Sequence, residues 1–183
     1  MRLFTGLDLP REVVGRLDEL LRRLKPTARV NWSPPANLHV TTKFIGEWPE
    51  ERLHELKAAL GGLPARPALE VHIRQVGFFP NARIPRSFWV GIEAPGLPEL
   101  AAATDAATAT LGVPRDKRAF SPHLTLARIK EPEPLDSLQQ AIAKLASLDF
   151  GSFPADRFFL YRSTLHPSGS VYTKLAEFPL TKS

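Results

Sequence analysis

The chain carries the same short pattern twice. His39-Val40-Thr41 lies in the segment NLHVTTKF, and His123-Leu124-Thr125 lies in SPHLTLAR, 84 positions further along. Both segments follow a proline-containing turn, and both occupy runs of residues that favour strands. Residues i and i+2 of a strand point to the same face, so each segment presents an imidazole beside a hydroxyl. The repeat therefore predicts an internal duplication with one such strand in each half.

Composition alone rarely produces this repeat. With 5 His and 11 Thr among 183 residues, roughly 0.3 His-x-Thr patterns are expected, and two arise in roughly 4% of such chains. The alternative interpretation is a pair of strand histidines that merely bond to neighbouring backbone. The other histidines lack the pattern, since His54 lies in a predicted amphipathic helix, His72 in an ordinary strand and His166 in a turn.

Apolar spacing predicts that helices and strands alternate along the chain. Strands are predicted over residues 2–9, 38–45, 68–76, 87–93, 120–129, 156–162 and 170–178, and helices over 10–24, 49–61, 98–111 and 135–147. This mixed order predicts an α+β fold with two largely antiparallel sheets and outer helices. We expect residues 1–183 to form a single domain with two lobes, related by a pseudo-twofold duplication that places the two histidines on opposite sides of a central groove.

Composition excludes several classes of protein. The chain has no cysteine, which excludes disulfides, thiolate zinc sites, iron–sulfur clusters and cysteine nucleophiles. No run approaches 18 apolar residues and the first residues read as a strand, so we expect no membrane segment, no leader and a cytoplasmic protein. The net charge of +5 indicates either a polyanionic partner or a host that selects against labile residues.

Two imidazoles with two hydroxyls match the requirements of phosphodiester chemistry. Opening a 2′,3′-cyclic phosphate needs a base for water, an acid for the leaving ribose oxygen and donors for the non-bridging oxygens. Histidine suits both proton-transfer roles because its ordinary pKa is about 6.5. Two histidines without a suitably placed carboxylate are too few to hold a metal ion, so we expect neither metal nor cofactor.

Both motifs resemble those of a known family. His39-Val40-Thr41-Thr42 and His123-Leu124-Thr125-Leu126 are similar to the paired motifs of the LigT/ThpR family in the two-histidine phosphoesterase superfamily. The resemblance spans nearly the whole chain, including the opening RLFTGLDLP, the GFFP turn and the closing LYRSTLHPSGSVYTKLAEFPL. It implies a bilobal fold and a metal-independent RNA 2′,3′-cyclic phosphodiesterase that leaves a 2′-phosphate. The same steps in reverse would give ATP-independent 2′-5′ RNA ligation.

The resemblance also implies the role of each residue. His39 would be the proton donor, His123 the proton acceptor, and Thr41 and Thr125 the phosphate-binding residues, although the sequence itself does not distinguish the two imidazoles. Arg128 would contact the phosphate, which requires a bend or bulge because strict alternation turns it to the opposite face. The implied partner is RNA with a 2′,3′-cyclic phosphate end, or a related nucleotide, and we expect a monomer.

Several alternatives stay open at this level. A non-catalytic module that binds nucleotides or RNA ends would use the same groove, and another cyclic nucleotide would suit the same chemistry. Lys43 shares the parity of His39 and Thr41, so it either lines the groove or is a solvated lysine at the strand end. The basic residues in predicted loops could contact an RNA backbone or keep the surface soluble; they are Arg83, Arg86, Arg115, Lys117 and Arg118. The aromatic residues in predicted strands could stack on a base or belong to the core; they are Phe78, Phe79, Trp89 and Tyr161.

Overall fold

The structure is a computed structural model that describes residues 1–182. Within them lie nine strands: β1 (Arg2–Leu7), β2 (Asn31–Trp32), β3 (Val40–Glu47), β4 (Leu69–Phe79), β5 (Ser87–Glu93), β6 (His123–Arg128), β7 (Asp149–Ala155), β8 (Arg157–His166) and β9 (Gly169–Pro179). The same residues form four α-helices: α1 (Arg11–Leu24), α2 (Leu53–Gly61), α3 (Leu97–Ala109) and α4 (Asp136–Ala143).

The strands form two antiparallel sheets. The first sheet has four strands in the order β3-β1-β8-β9, and the second has five in the order β2-β6-β5-β4-β7. Within residues 1–182, all strand pairings are antiparallel. The predicted α+β class with two antiparallel sheets is therefore confirmed.

Each sheet contains strands from both halves of the chain. β1 and β3 lie in the first sheet, but β4, which follows α2, lies in the second. In the later half β5, β6 and β7 lie in the second sheet, whereas β8 and β9, which follow β7, lie in the first. The helices are exchanged as well, because α3 packs against β3 and α1 contacts β7. The two lobes in space are thus not the two halves of the sequence.

Apolar side chains from both sheets and from the helices form one buried cluster. β5 shows the alternation that produces it, with Phe88, Val90 and Ile92 buried and the residues between them more exposed. Helix α1 buries Val13, Leu17, Leu20, Leu21 and Leu24, which lie on one face at helical spacing. Among residues 1–182, no helix is both long and apolar enough to cross a membrane.

Two strands were not predicted from the sequence. β7 was missed because Gly151, with a φ of +106°, and Pro154 interrupt the alternation that marks a strand. Proline is tolerated there because β7 is the edge strand of the second sheet, paired only with β4. β2 has two residues, which is too short for a periodic signal. β3 also begins later than predicted, so His39 lies immediately before it.

Candidate functional site

Each motif strand contains a β-bulge directly after its threonine. On β3 the register against β1 shifts after Thr41, which leaves Thr42 as the extra residue. On β6 the register against β5 shifts after Thr125, which leaves Leu126 as the extra residue. A bulge reverses the alternation of side chains beyond it. The same irregularity at equivalent positions shows that the two copies share their local backbone as well as their motif.

The bulge on β6 determines where Arg128 points. Leu126 and Ala127 are consecutive residues and both are buried, whereas His123, Thr125 and Arg128 are not. Strict alternation would have turned Arg128 away from the histidine. The bulge instead returns Arg128 to the face that carries His123 and Thr125, which is the condition that a phosphate-contacting role requires.

The bulge on β3 places Lys43 in the interior. Lys43 is 2% exposed, and its ammonium donates hydrogen bonds of 2.8 Å to Asp105, Asp116 and the carbonyl oxygen of Pro114. Burial alone would lower the pKa of Lys43, but the two carboxylates raise it above its ordinary value. Both sequence-based interpretations of Lys43, a groove residue and a solvated strand end, are therefore wrong because parity ends at the bulge.

Both motif histidines are oriented by the same backbone hydrogen bond. Nδ1 of His39 donates to the carbonyl oxygen of Asn37 at 2.7 Å, and Nδ1 of His123 donates to that of Ser121 at 2.9 Å. A carbonyl oxygen only accepts, so the bond assigns the Nδ1 proton and leaves Nε2 to exchange protons. The hydrogen bond to the backbone thus occupies Nδ1 of each ring and leaves Nε2 as the nitrogen for proton transfer.

His39 lies in an aromatic enclosure. Its ring centroid is 4.7 Å from that of Phe4 and 5.1 Å from that of Tyr172, which meets it edge-on, and it is 6.0 Å from Tyr161. Nε2 of His39 is 2.7 Å from the hydroxyl oxygen of Thr41. Burial lowers the pKa of His39 below its ordinary value. The ring is therefore neutral at neutral pH in the free protein, and its Nε2 accepts a hydrogen bond from the hydroxyl of Thr41.

His123 lies in a more open environment. It is exposed, and its aromatic neighbour is Trp89, at 6.3 Å between ring centroids. Trp89 pairs with Thr125 across the two strands. Its indole rests on Gly77, where an added Cβ would lie 2.2 Å from the indole ring. Only glycine at position 77 leaves room for this packing.

The two motif strands approach each other, since β3 contacts β6 between the sheets. A cavity of about 370 Å³ adjoins His39. Its lining comprises Asp8, Ala36, Asn37, Leu38, His39, Tyr161, Tyr172, Thr173 and Lys174. In the described part of the chain, no three His, Asp or Glu side chains lie close enough to hold a metal ion.

The sequence did not identify every residue of this cavity. Tyr172 and Lys174 were overlooked because they lie in an ordinary alternating strand, and Asp8 because it follows a strand as a single acidic residue. The sequence feature that could have pointed to Tyr172 is that its predicted strand directly follows the predicted strand of Tyr161. Two such successive strands form a hairpin in the structure, which brings Tyr172 near Tyr161. The remaining histidines lie elsewhere, and His72 bonds to Asp149 on the surface at 3.0 Å.

Comparison with known proteins identifies relatives over the whole chain. The family model for LigT-like phosphoesterases matches twice, over residues 7–89 and 90–172. An RNA 2′,3′-cyclic phosphodiesterase of Methanocaldococcus jannaschii is 32% identical over 178 residues, which cover 97% of this chain and 100% of the relative. One from Thermus thermophilus is 36% identical over 189 residues, covering 98% of this chain and 90% of the relative.

Solved structures give the same result. The crystal structure of TT0787 of Thermus thermophilus superimposes with a TM-score of 0.81 at 35% identity and covers 98% of each chain. That of E. coli LigT complexed with 3′-AMP gives a TM-score of 0.79 at 26% identity, covering 99% of this chain and 98% of the other. The double match of the family model agrees with the duplication predicted from the two motifs.

Proposed function

Because the chain belongs to the LigT-like phosphoesterase family, we propose that it hydrolyses the 2′,3′-cyclic phosphate at an RNA end to a 2′-phosphate. The observation that carries this proposal is the pair of identically oriented histidines, each with Nε2 available for proton transfer. Relatives of nearly the same length are RNA 2′,3′-cyclic phosphodiesterases, and a LigT structure holds 3′-AMP, which supports a nucleotide end as the ligand.

In the proposed reaction, Nε2 of His123 takes a proton from water, and the water oxygen attacks phosphorus. The bond from phosphorus to the 3′ oxygen breaks, and Nε2 of His39 gives that oxygen a proton. The hydroxyls of Thr41 and Thr125 and the guanidinium of Arg128 hold the non-bridging oxygens. A 5′ hydroxyl in place of water would give a 2′-5′ linkage without ATP.

Substrate binding supplies the protonated state of His39 that this reaction needs. Burial keeps the ring neutral in the free protein by lowering its pKa. A phosphodiester carries one negative charge, and a negative charge beside an imidazole favours the protonated form. The proton that His39 donates is therefore taken up as the substrate binds.

The first test is incubation of the protein, in EDTA, with an oligoribonucleotide that ends in a 2′,3′-cyclic phosphate. We expect a 2′-phosphate as the product. His39→Ala and His123→Ala should each reduce kcat by at least about a hundredfold, because each removes a proton-transfer group. Tight binding of the RNA end without hydrolysis would instead identify a non-catalytic binding module.

A substrate with sulfur in place of the 3′ bridging oxygen tests the assignment of the two roles. A thiolate leaves without protonation, so the acid becomes dispensable while the base does not. We expect this substrate to restore most of the activity of His39→Ala and none of that of His123→Ala. Rescue of His123→Ala alone would exchange the two roles.

Arg128→Met tests the proposed phosphate contact. Loss of a charge-assisted contact to the developing negative charge should lower kcat/KM by about ten- to a hundredfold. Arg22→Met, on the outer face of α1 where Arg22 pairs with Asp18, is the matched control and should leave kcat/KM unchanged. Equal effects of the two substitutions would remove Arg128 from the site.

We further propose that the protein acts as a monomer in the cytoplasm. The site supports a monomer because both motif strands come from one chain. Size-exclusion chromatography with light scattering should give one mass near 20.3 kDa. A mass twice as large at micromolar concentration would contradict the monomer.

A further inference from the structure

The bulge on β6 leaves two neighbouring carbonyl groups on the same edge of the strand. In a regular strand, successive carbonyl groups point to opposite edges and bond to different neighbours. The carbonyl oxygens of Thr125 and Leu126 instead both reach the edge that faces β2, where Ser33 bonds to each of them. The bulge therefore places one acceptor on this edge in addition to those of a regular ladder.

Ser33 satisfies both carbonyl groups, one with each of its two donors. Its backbone N–H donates to the carbonyl oxygen of Leu126 at 2.8 Å, and its hydroxyl donates to that of Thr125 at 3.0 Å. The next two residues along the chain are Pro34 and Pro35, and proline has no N–H to donate. The hydroxyl of Ser33 therefore takes the place of the backbone donor that the chain lacks beyond β2.

These bonds lie between two residues proposed to contact the phosphate. Thr125 precedes the extra residue, Leu126, and Arg128 follows it. β2 also pairs beyond the bulge, because Asn31 lies opposite Arg128. The first motif is held differently, since among the described strands β3 pairs only with β1, and Phe44 stands at the place of Arg128. β2 and Ser33 thus hold the second motif where its side chains change faces.

We propose that Ser33 is a positioning residue, whose hydroxyl holds the β6 bulge so that Arg128 stays on the face of His123 and Thr125. The inference rests on the proposed function, because Ser33 acts through Arg128, the proposed phosphate contact, and itself touches no substrate. Without the hydroxyl, the bulge loses one of the two bonds from Ser33 that fix it, and the Thr125 carbonyl loses its donor on this edge. Arg128 then samples directions away from the histidine face.

Ser33→Ala tests the proposal, because it removes the hydroxyl and keeps the backbone bond to Leu126. For an RNA end with a 2′,3′-cyclic phosphate, we expect kcat/KM to fall about five- to tenfold, as for the loss of one hydrogen bond. Ser33→Thr keeps a hydroxyl and should restore most of the activity. In the Arg128→Met background, Ser33→Ala should lower kcat/KM by less than about twofold, because the group through which it acts is absent.

Thr110→Val is the matched control. It also removes one hydroxyl that bonds to a backbone carbonyl, that of Ala107 in α3, and it should leave kcat/KM unchanged. An equal effect of Ser33→Ala with and without Arg128 would overturn the proposal, as would full activity of Ser33→Ala. Absence of hydrolysis by the wild-type protein would instead count against the proposed function. In that case calorimetric titration with 3′-AMP still tests the positioning, because 3′-AMP should bind more weakly to Ser33→Ala than to the wild type or Ser33→Thr, and equal affinities would overturn it.

Discussion

At the scale of single residues, the two histidines are alike in bonding and unlike in surroundings. Both donate from Nδ1 to a carbonyl two residues earlier, so the backbone alone sets their tautomer. His39 is enclosed by aromatic rings, whereas His123 is exposed. The repeated motif predicts that these histidines and their threonines form the site, and this stays a prediction. It did not predict the enclosure, because Tyr161 and Tyr172 come from strands distant in sequence.

The enclosure of His39 predicts a pH dependence of stability. Its pKa is lowered in the folded protein relative to about 6.5 in the unfolded chain, so the unfolded state binds more protons in the window below pH 6.5. The free energy of unfolding should therefore rise with pH through that window. His39→Asn should flatten this rise in thermal melts at pH 5 to 7. His54→Asn, on an exposed helix face, should leave the rise as steep as in the wild type.

At the scale of elements, the bulges explain which predictions from strand parity hold. Parity is correct for His39 with Thr41 and for His123 with Thr125, because each pair precedes its bulge. Beyond the bulge the two copies differ. Arg128 returns to the histidine face of β6, whereas the equivalent residue on β3 is Phe44, whose side chain is 66% exposed. Sequence alternation cannot locate a bulge, because the extra residue is an ordinary Thr or Leu.

Gly77 tests how the second sheet supports the site. A Cβ there would lie 2.2 Å from the indole of Trp89, so Gly77→Ala should displace Trp89, shift the ring resonances of His123 in NMR spectra and lower kcat/KM. Gly15→Ala is the control, because position 15 lies in α1 with open space around it and alanine there should stabilise the protein by about 0.5 to 1 kcal/mol. Unchanged His123 resonances in Gly77→Ala would contradict this account.

The buried Lys43 tests how β3 is held to α3. Lys43→Met removes the ammonium from the Asp105 carboxylate, which keeps Arg115 and the backbone N–H of Asp116 as donors, so the free energy of unfolding should fall by about 1.5 to 3 kcal/mol in denaturant titrations. Lys25→Met, at an exposed position, should have almost no effect. If replacing both Lys43 with Met and Asp105 with Leu restored none of the loss, the missing ammonium partner of the Asp105 carboxylate would not be its cause.

The same cluster predicts behaviour in acid. Burial alone would raise the pKa of Asp105, but hydrogen bonds from Lys43, the backbone N–H of Asp116 and Arg115 lower it to about 2. A lowered pKa means that the stabilisation is complete above the ordinary value near 4 and is lost as pH falls through about 2. Asp105→Asn should therefore show a smaller loss of stability between pH 4 and 2 in acid titrations followed by circular dichroism.

At the scale of the whole molecule, the duplication was predictable and the exchange of strands was not. Periodicity shows which face of a strand is buried, but it does not show which neighbour the strand pairs with. β4 follows α2 in the earlier half and yet lies in the second sheet, and β8 follows β7 in the later half and yet lies in the first. Because each sheet needs strands from both halves, we propose that residues 1–183 form one cooperative domain.

This exchange predicts a single unfolding transition. Fluorescence and circular dichroism should give coincident denaturant curves. The fragments 1–95 and 96–183 should each be unfolded when prepared alone, because in each fragment both sheets are missing some of their strands. Wild-type protein under the same conditions is the control. A cooperative melt in either isolated fragment would show that one half is an independent domain.

The position of Tyr172 in the chain has a consequence for the order in which the protein matures. His39 and the strand that carries His123 are synthesised before β9, and the proposed acid, base and arginine all precede it. Tyr172 joins Phe4 and Tyr161 in the aromatic enclosure of His39 only once β9 has paired with β8. On the ribosome, the proposed reactive residues would therefore emerge before the last strand of the first sheet, so a chain interrupted before Tyr172 would carry them without completing the enclosure of His39.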